Sequence, residues 1–212
     1  MASAPRALGF PAQTSALRPL TLDVDGDLHL RPLRESDKAA VTEAMTDPGI
    51  LRWAAGLGVN AAPPDERARI WLLPRVSGWS IGTAPFGITD LAGGDLLGYV
   101  SLRDVNRTPG QAVAAYWVTP AARGRRVAAR ALNAVAAWAF APTAQGGLGL
   151  HRISLDHSLT NEASCHVATA AGFRTEGTTR ESFLDPEGIR HDSHVHGRLA
   201  TDPRPPLTPP RA

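Results

Sequence analysis

The sequence predicts an α+β fold: a mixed, mostly antiparallel central sheet flanked by about four helices. Three observations lead to this prediction. Helix-like and strand-like patterns follow one another in the order strand, helix, helix, three strands, helix, strand, helix, two strands. Three consecutive strands are typical of antiparallel connections, and the strands separated by helices allow one or two parallel crossovers. The order lacks the strict strand–helix alternation of an all-parallel sheet.

The first third of the chain is predicted to form a strand and two helices. "DLHLRPL" alternates apolar and polar residues, as a half-buried strand does. In "RESDKAAVTEAMTDP", Ser36 is a suitable N-cap for the first helix. The second helix fits "APPDERARIWLLPRVSGW", with Trp71 and Leu72 facing inward and Pro74 closing or kinking it.

The middle of the chain is predicted to form three strands and a long helix. "FGITDLAGGDLLGYVSLRDV" fits a hairpin around a Gly-Gly turn at residues 93–94, and "QAVAAYWV" fits a central strand because it is largely apolar. A helix is expected from about Gly124 to Phe140. Its apolar residues recur at helical spacing: Val127, Ala131, Ala134, Val135 and Trp138.

The last third is predicted to form a strand, a helix and two closing strands. "HRISLDHS" is the strand, with Ile153 and Leu155 on one face. Asn161 can cap the helix in "NEASCHVATAAGF", and Gly172 ends it. "FRTEGTTRES" and "RHDSHVHGRLA" supply the closing strands.

Composition predicts one domain at residues 21–200, between a flexible tail at 1–20 and a Pro-rich disordered tail at 201–212. With 22 Lys and Arg against 20 Asp and Glu, the net charge is +2, which does not indicate a nucleic-acid partner. No apolar run approaches the roughly 18 residues of a membrane span. One cysteine excludes an internal disulfide and a Cys-pair metal site. We expect a cytoplasmic monomer or homodimer with no membrane partner.

The stretch "AARGRRVAARAL" places positive charge where a helix is least suited to it. Its four arginines are Arg123, Arg125, Arg126 and Arg130. A helix N-terminus already carries a partial positive charge and free N–H donors, so it binds anions rather than cations. A bound anion such as phosphate would balance both the arginines and the positive end of the helix. The small residues Gly124 and Ala128 leave room for it. A solvated, arginine-rich surface helix is the alternative.

Two motifs resemble the GNAT superfamily of N-acetyltransferases. "YWVTPAARGRRVAARAL" is similar to the acyl-CoA-binding segment, whose signature is Arg or Gln, any two residues, Gly, any residue, then Gly or Ala. Arg123 and Ala128 match its ends, but Arg126 stands where the signature has glycine. "NEASCHVATAAGFRTEGTTR" resembles the last helix of the branch that acetylates the N-terminal alanine of ribosomal proteins. The resemblance spans residues 28–200.

The resemblance implies acetyl-CoA as co-substrate and a site for it. The pantetheine arm would lie along Trp117 and Val118, with Asn161 as a further contact. The pyrophosphate would lie on the segment that follows: Arg123, Gly124, Arg125, Arg126, Val127 and Ala128. The implied activity is direct transfer of an acetyl group to a primary amine, either a peptide N-terminus or a small molecule. A catalytically weak GNAT-fold protein that binds acyl-CoA or another ligand is the alternative.

Candidates for the chemistry follow from the same resemblance. Ser164 matches the position whose hydroxyl faces the cofactor sulfur, so it is the proposed donor to the thiolate, although it could instead serve helix capping. His157 is the proposed general base because its ordinary pKa suits that work. Glu181 and Asp104 are rivals, and water-relayed deprotonation is equally open. Many relatives carry a glutamate before "YWV".

That glutamate is missing here, where the strand has Val113, Ala114 and Ala115, so a base acting from this strand is excluded. Cys165 fits an inert buried thiol, since direct transfer needs no thiol nucleophile. In "HDSHVH", the alternating Asp192, His194 and His196 could form a two-histidine, one-carboxylate site. Substrate-facing or exposed side chains suit the spacing better, and no metal site is predicted.

Overall fold

The computed structural model describes residues 16–91 and 94–206 and has an eight-stranded sheet at its centre. The strands are β1 Leu22–Val24, β2 Leu28–Pro32, β3 Ala84–Asp90, β4 Gly98–Asn106, β5 Gln111–Val118, β6 Arg152–Ser158, β7 Arg174–Leu184 and β8 Arg190–Leu199. Their spatial order is β1-β2-β3-β4-β5-β6-β8-β7. Every neighbouring pair is antiparallel except β5 and β6. The predicted fold class is confirmed.

Four longer helices flank the sheet: α1 Lys38–Ala44, α2 Pro64–Val76, α3 Val127–Phe140 and α4 Glu162–Ala170. Shorter helical turns are Glu35–Asp37, Pro48–Ile50, Leu51–Ala55, Leu57–Asn60, Gly78–Ile81, Pro120–Ala122 and Thr143–Gln145. The turns between residues 48 and 60 were not predicted, because segments of three to five residues are too short to display a helical period. β1 was not predicted either, because its three residues are too few to display an alternating pattern.

The N-cap predicted for the first helix is wrong. Ser36 lies inside the turn Glu35–Asp37, and α1 begins only at Lys38.

Pro74 was predicted to close or kink the second helix. It lies inside α2, which continues to Val76, so it does not close the helix. A proline lacks an N–H donor and its ring crowds the carbonyl four residues before it, but a helix can continue past it where packing supports it.

The sheet separates two apolar cores. One core lies between the sheet and α3 with α4, and the other lies under α1 and α2. Trp71 and Leu72 are buried in the second core as predicted, and the Trp71 ring lies 5.4 Å from that of Trp117 on β5. Strand β5 therefore packs on both sides, as expected for an apolar central strand.

The predicted tails and the Gly-Gly turn are described only in part. Residues 1–15 and 207–212 lie outside the described residues, and so does Gly93 of the predicted turn. Leu17, which falls within the predicted N-terminal tail, is buried in the first core. Its backbone N–H donates to the carbonyl of Trp79 at 2.7 Å.

A buried ion pair joins β2 to the segment that leads into α1. Arg31 donates to both carboxylate oxygens of Asp37, at 2.9 and 2.7 Å, and both residues are almost fully buried. The Asp37 carboxylate also accepts the Arg34 N–H at 2.8 Å. Burial by itself would raise the pKa of Asp37, but these hydrogen bonds outweigh it and hold the pKa below its ordinary value.

We predict that Asp37→Asn lowers the free energy of unfolding by about 3 kcal/mol, because it leaves a buried guanidinium without a counter-charge. The loss should be full above about pH 4 and should shrink as the pH falls through the folded-state pKa of Asp37, where the wild-type carboxyl also becomes neutral. Urea unfolding across pH measures both effects. Glu66→Gln is the control: it breaks the exposed pair with Arg69 and should cost less than about 0.5 kcal/mol. Equal effects of the two variants would contradict the assignment.

Candidate active site

The site begins where the sheet opens. β5 and β6 run parallel and pair only over residues 111–113 and 152–154. Beyond that point the strands diverge, and both residues 114–118 and residues 155–158 line a cavity of about 1010 Å³. Successive backbone groups along a strand point to alternate sides. The backbone N–H and carbonyl groups of β5 that do not bond to β4 therefore face the cavity.

The cavity continues to the start of α3, where the prediction needs a correction. The helix does not begin near Gly124 but at Val127. Gly124 has φ 74° and Arg126 has φ 56°, and a right-handed helix cannot include such residues. The segment 123–126 is thus a loop in which two left-handed residues flank Arg125. Backbone N–H groups that converge in this way, next to a helix N-terminus, form an anion-binding concavity.

The four arginines of this stretch have separate environments. Arg130 is buried, and its guanidinium donates to Asp25 at 2.9 Å and to Asp27, both in the turn between β1 and β2. Arg123 is half exposed and donates to Asp47 at 2.5 Å. Arg125 is exposed. Arg126 occupies the N-cap position itself and lines the cavity.

The strand side of the cavity is built from Tyr116, Trp117 and Val118. Trp117 is only 5% exposed, because its ring packs between Trp71 and Tyr99 in the core. Its side chain is therefore an anchor that fixes the backbone of β5 beside the cavity. Val118 is half buried and lines the same wall.

Ser164 and Tyr116 form a hydroxyl pair on the cavity wall. Their hydroxyl oxygens are 2.9 Å apart, and the Tyr116 hydroxyl also lies 3.0 Å from the Ser164 carbonyl, to which it can donate. Burial raises the pKa of Tyr116 to about 12, so the phenol stays protonated near neutral pH. Tyr116 was not predicted as a site residue, because it resembles any other aromatic residue of a central strand until the fold places it against α4.

Asn161 has the predicted capping role. Its side-chain oxygen accepts the Ser164 N–H at 3.2 Å, which holds the first turn of α4. Asn161 also lines the cavity. The cap and the hydroxyl pair therefore meet at Ser164 and fix its position.

His157 lines the cavity, but both ring nitrogens face protein groups. Nδ1 is 2.9 Å from the Ser158 carbonyl, and Nε2 is 3.0 Å from Nε2 of His196. Burial lowers the pKa of His157, so the ring is neutral near pH 7. The rivals Asp104 and Glu181 are exposed and lie at irregularities of β4 and β7, away from the cavity wall.

The charges around the cavity are strongly biased. Among the described residues that line it, five are arginines: Arg52, Arg75, Arg103, Arg123 and Arg126. Asp156, at the end of β6, carries the one carboxylate of that wall. A cavity with this balance attracts polyanions. The sequence gives no signal that separates Asp156 from other exposed strand residues.

The match to a known family decides the identification. Residues 27–174 match the family model described as an acetyltransferase (GNAT) domain. The chain belongs to the GNAT acetyltransferase family. The resemblance found in the two sequence motifs is thereby confirmed. No curated protein matches the chain significantly.

Solved structures show the same GNAT fold. The ribosomal-protein-S5-alanine acetyltransferase from Vibrio fischeri is 21% identical with a TM-score of 0.69, over 88% of this chain and 100% of that one. RimJ from Mycobacterium smegmatis, in complex with CoA-disulfide, is 23% identical with a TM-score of 0.68, over 90% of each chain. The microcin C7 self-immunity acetyltransferase MccE, in complex with acetyl-CoA and AMP, is 14% identical with a TM-score of 0.69, over 87% and 98%.

None of the helices within residues 16–91 and 94–206 has the length and apolar character needed to cross a bilayer.

We predict that Arg126→Gly is more stable than Arg126→Ala by about 1 kcal/mol. Both variants lose the guanidinium, but only glycine adopts the left-handed conformation of the N-cap without steric cost. Chemical unfolding of the two variants measures the difference. Gly124→Ala, at φ 74° with open space around the added methyl group, is the matched control and should lose a similar amount relative to wild type. Equal stability of the two Arg126 variants would show that the loop is not left-handed in solution.

Proposed function

We propose that this GNAT protein is an acetyl-CoA-dependent N-acetyltransferase that moves an acetyl group directly to a primary amine, either a peptide N-terminus or a small-molecule amine. One observation carries the proposal: the gap between β5 and β6 joins an anion-binding loop to a half-buried hydroxyl pair. The phosphate groups of a thioester such as acetyl-CoA could bind at the loop, and the thioester itself would then meet a proton donor at the hydroxyl pair.

The loop before α3 fits a diphosphate. The N–H groups of residues 123–128 stand at a helix N-terminus, where the helix dipole favours negative charge. Arg123 can add a charge-assisted bond if it exchanges its contact with Asp47 for one with a phosphate oxygen. Arg126 brings a guanidinium to the same wall. RimJ and MccE were solved with CoA-disulfide and with acetyl-CoA, respectively.

The diverging strand suits the arm of coenzyme A. We assign the contacts to the backbone at Trp117 and Val118 and to the side chain of Asn161, which line the same cavity as the loop and Ser164. Backbone N–H groups of β5 that are released from strand pairing can polarise the thioester carbonyl. The packing of Trp117 against Trp71 keeps that backbone in place.

Ser164 is the proposed proton donor. In direct transfer the amine nitrogen bonds to the acetyl carbon as the carbon–sulfur bond breaks, and the thiolate takes up a proton. Ser164 Oγ can donate that proton and take one back from solvent water, which also carries away the proton lost by the amine. The Tyr116 hydroxyl, 2.9 Å away, stays protonated because its pKa is raised to about 12, and it holds the Ser164 hydroxyl in place. General acid catalysis of this kind contributes roughly 10²–10⁴-fold.

Deprotonation of the amine is assigned to water rather than to His157. The ring nitrogens of His157 face the Ser158 carbonyl and His196, so neither points at an incoming amine. Asp156 is exposed on the cavity wall and can hold an ammonium group and receive its proton through water. The part of β5 where many relatives carry a glutamate holds Val113, Ala114 and Ala115, so it offers no acidic side chain as a base.

A weakly catalytic ligand-binding protein is the second candidate. It is favoured by Arg126 at the signature glycine, where a bulky side chain stands beside the loop that would hold the diphosphate. The absence of an acid from residues 113–115 favours it as well. In that case the cavity would bind coenzyme A and release no product.

Thiol release separates the two candidates. We expect the protein to release free coenzyme A from acetyl-CoA when peptides with free N-termini or small primary amines are added, and to form the N-acetyl product in equal amount. Tight binding of coenzyme A by calorimetry, with no turnover on any amine of the panel, would support the ligand-binding candidate and reject the enzyme.

Ser164→Ala tests the proposed donor in the same assay. We expect kcat to fall about 100-fold with the affinity for coenzyme A retained, because the hydroxyl acts on the leaving thiolate rather than in binding. Tyr116→Phe should lower kcat in the same direction. Ser80→Ala, an exposed serine on a distant turn, is the control and should match wild type. An unchanged kcat in Ser164→Ala would remove Ser164 from the mechanism.

A further inference from the structure

Four side chains meet beside the first turn of α4. His157 comes from β6, Cys165 from α4, and His194 and His196 from β8. One nitrogen from each histidine and the cysteine sulfur all lie within 4.8 Å of one another. The sequence pattern pairs His194 with His196 on one strand, but it does not bring His157 or Cys165 to them, because these residues lie far away along the chain.

The spacing suits a small tetrahedral metal ion. The two imidazole Nε2 atoms of His157 and His196 are 3.0 Å apart. The sulfur of Cys165 lies 3.8 Å from Nδ1 of His194 and 4.0 Å from Nε2 of His196. A tetrahedral zinc ion, with bonds of about 2.0 Å to nitrogen and 2.3 Å to sulfur, places its ligands about 3.3–3.5 Å apart. Small side-chain rotations would bring all four atoms to that geometry.

The hydrogen bonds around two of the histidines are compatible with a metal. Nδ1 of His157 faces the Ser158 carbonyl at 2.9 Å and so carries the ring proton, which leaves a lone pair on Nε2. Nε2 of His196 therefore carries the proton in its 3.0 Å contact with that lone pair. A metal between the two rings requires the other tautomer of His196, with the proton on Nδ1, which has the Thr175 hydroxyl 3.5 Å away. Metal-ligating histidines typically hold their second nitrogen in this way.

We propose that His157, Cys165, His194 and His196 form a tetrahedral site for Zn²⁺. Three imidazoles and a thiolate match the mixed nitrogen and sulfur preference of this ion. The site differs from the two-histidine, one-carboxylate arrangement considered from the sequence. The Asp192 carboxylate instead accepts the Glu181 N–H at 2.9 Å and takes no part.

The proposed zinc is structural. Protein atoms fill all four positions, which is typical of a structural site rather than a catalytic one. Cys165 and His194 are half buried, so an ion can enter from their side. The metal would tie the first turn of α4 to β6 and β8, next to Ser164. The site stands on its own contacts and does not depend on the proposed acetyltransferase activity.

Metal binding to the full chain, produced without a polyhistidine tag, tests the proposal. After removal of metal under reducing conditions, we expect one Zn²⁺ per chain in competition with a chromophoric chelator, together with a higher thermal midpoint. Co²⁺ in place of Zn²⁺ should give the visible absorption of a tetrahedral ion and a thiolate-to-metal charge-transfer band.

Two variants and one control make the result specific. Cys165→Ser should abolish the charge-transfer band, and both it and His194→Ala should weaken Zn²⁺ binding by at least about 100-fold, more than the loss of an outer-shell partner costs. Both residues are half buried, so the variants should fold, which circular dichroism checks. His151→Asn removes an exposed histidine outside the cluster and should bind as wild type does. Binding below one ion per chain, or binding that neither variant weakens, would overturn the proposal.

Discussion

The site depends on the short pairing between β5 and β6. Three residues of each strand are paired, and the strands then separate. β5 nevertheless stays straight after the pairing ends, because β4 pairs with it along one side up to Val118. The ring of Trp117 fixes it from below through its contacts with Trp71 and Tyr99. The gap is thus a stable feature of the sheet, and its two ends present a loop for anions and a pair of hydroxyl groups.

The arginines around the loop before α3 differ in burial and in their carboxylate partners. The buried Arg130 is neutralised by two aspartates of the turn between β1 and β2, so it ties the sheet edge to α3. Arg123 uses Asp47 as its partner at the surface. Because the helix starts only at Val127, three of the four arginines precede it and do not add positive charge within its first turn. The conflict between cations and the helix dipole is therefore smaller than the sequence suggests.

The sequence could predict the elements with a clear period and the residues in local motifs. The apolar alternation of the strands, the stripe along α3 and the capping of α4 by Asn161 are local properties, and the structure has each of them. It could not predict left-handed backbone at Arg126, since a non-glycine residue in that conformation has no sequence signature. Nor could it bring Tyr116 to Ser164, a contact across 48 residues that exists only because α4 crosses the splayed strand.

Backbone hydrogen exchange with and without coenzyme A tests the central claim, that the ligand occupies the gap between β5 and β6. Ligand in the gap should slow exchange at residues 114–118, whose N–H groups lack strand partners on that side. It should also slow exchange at residues 124–129, which form the end of the loop and the first turn of α3. Exchange in β2, which contributes no residue to the cavity, should stay the same. Slowed exchange in β2, with residues 114–118 and 124–129 unchanged, would contradict the account.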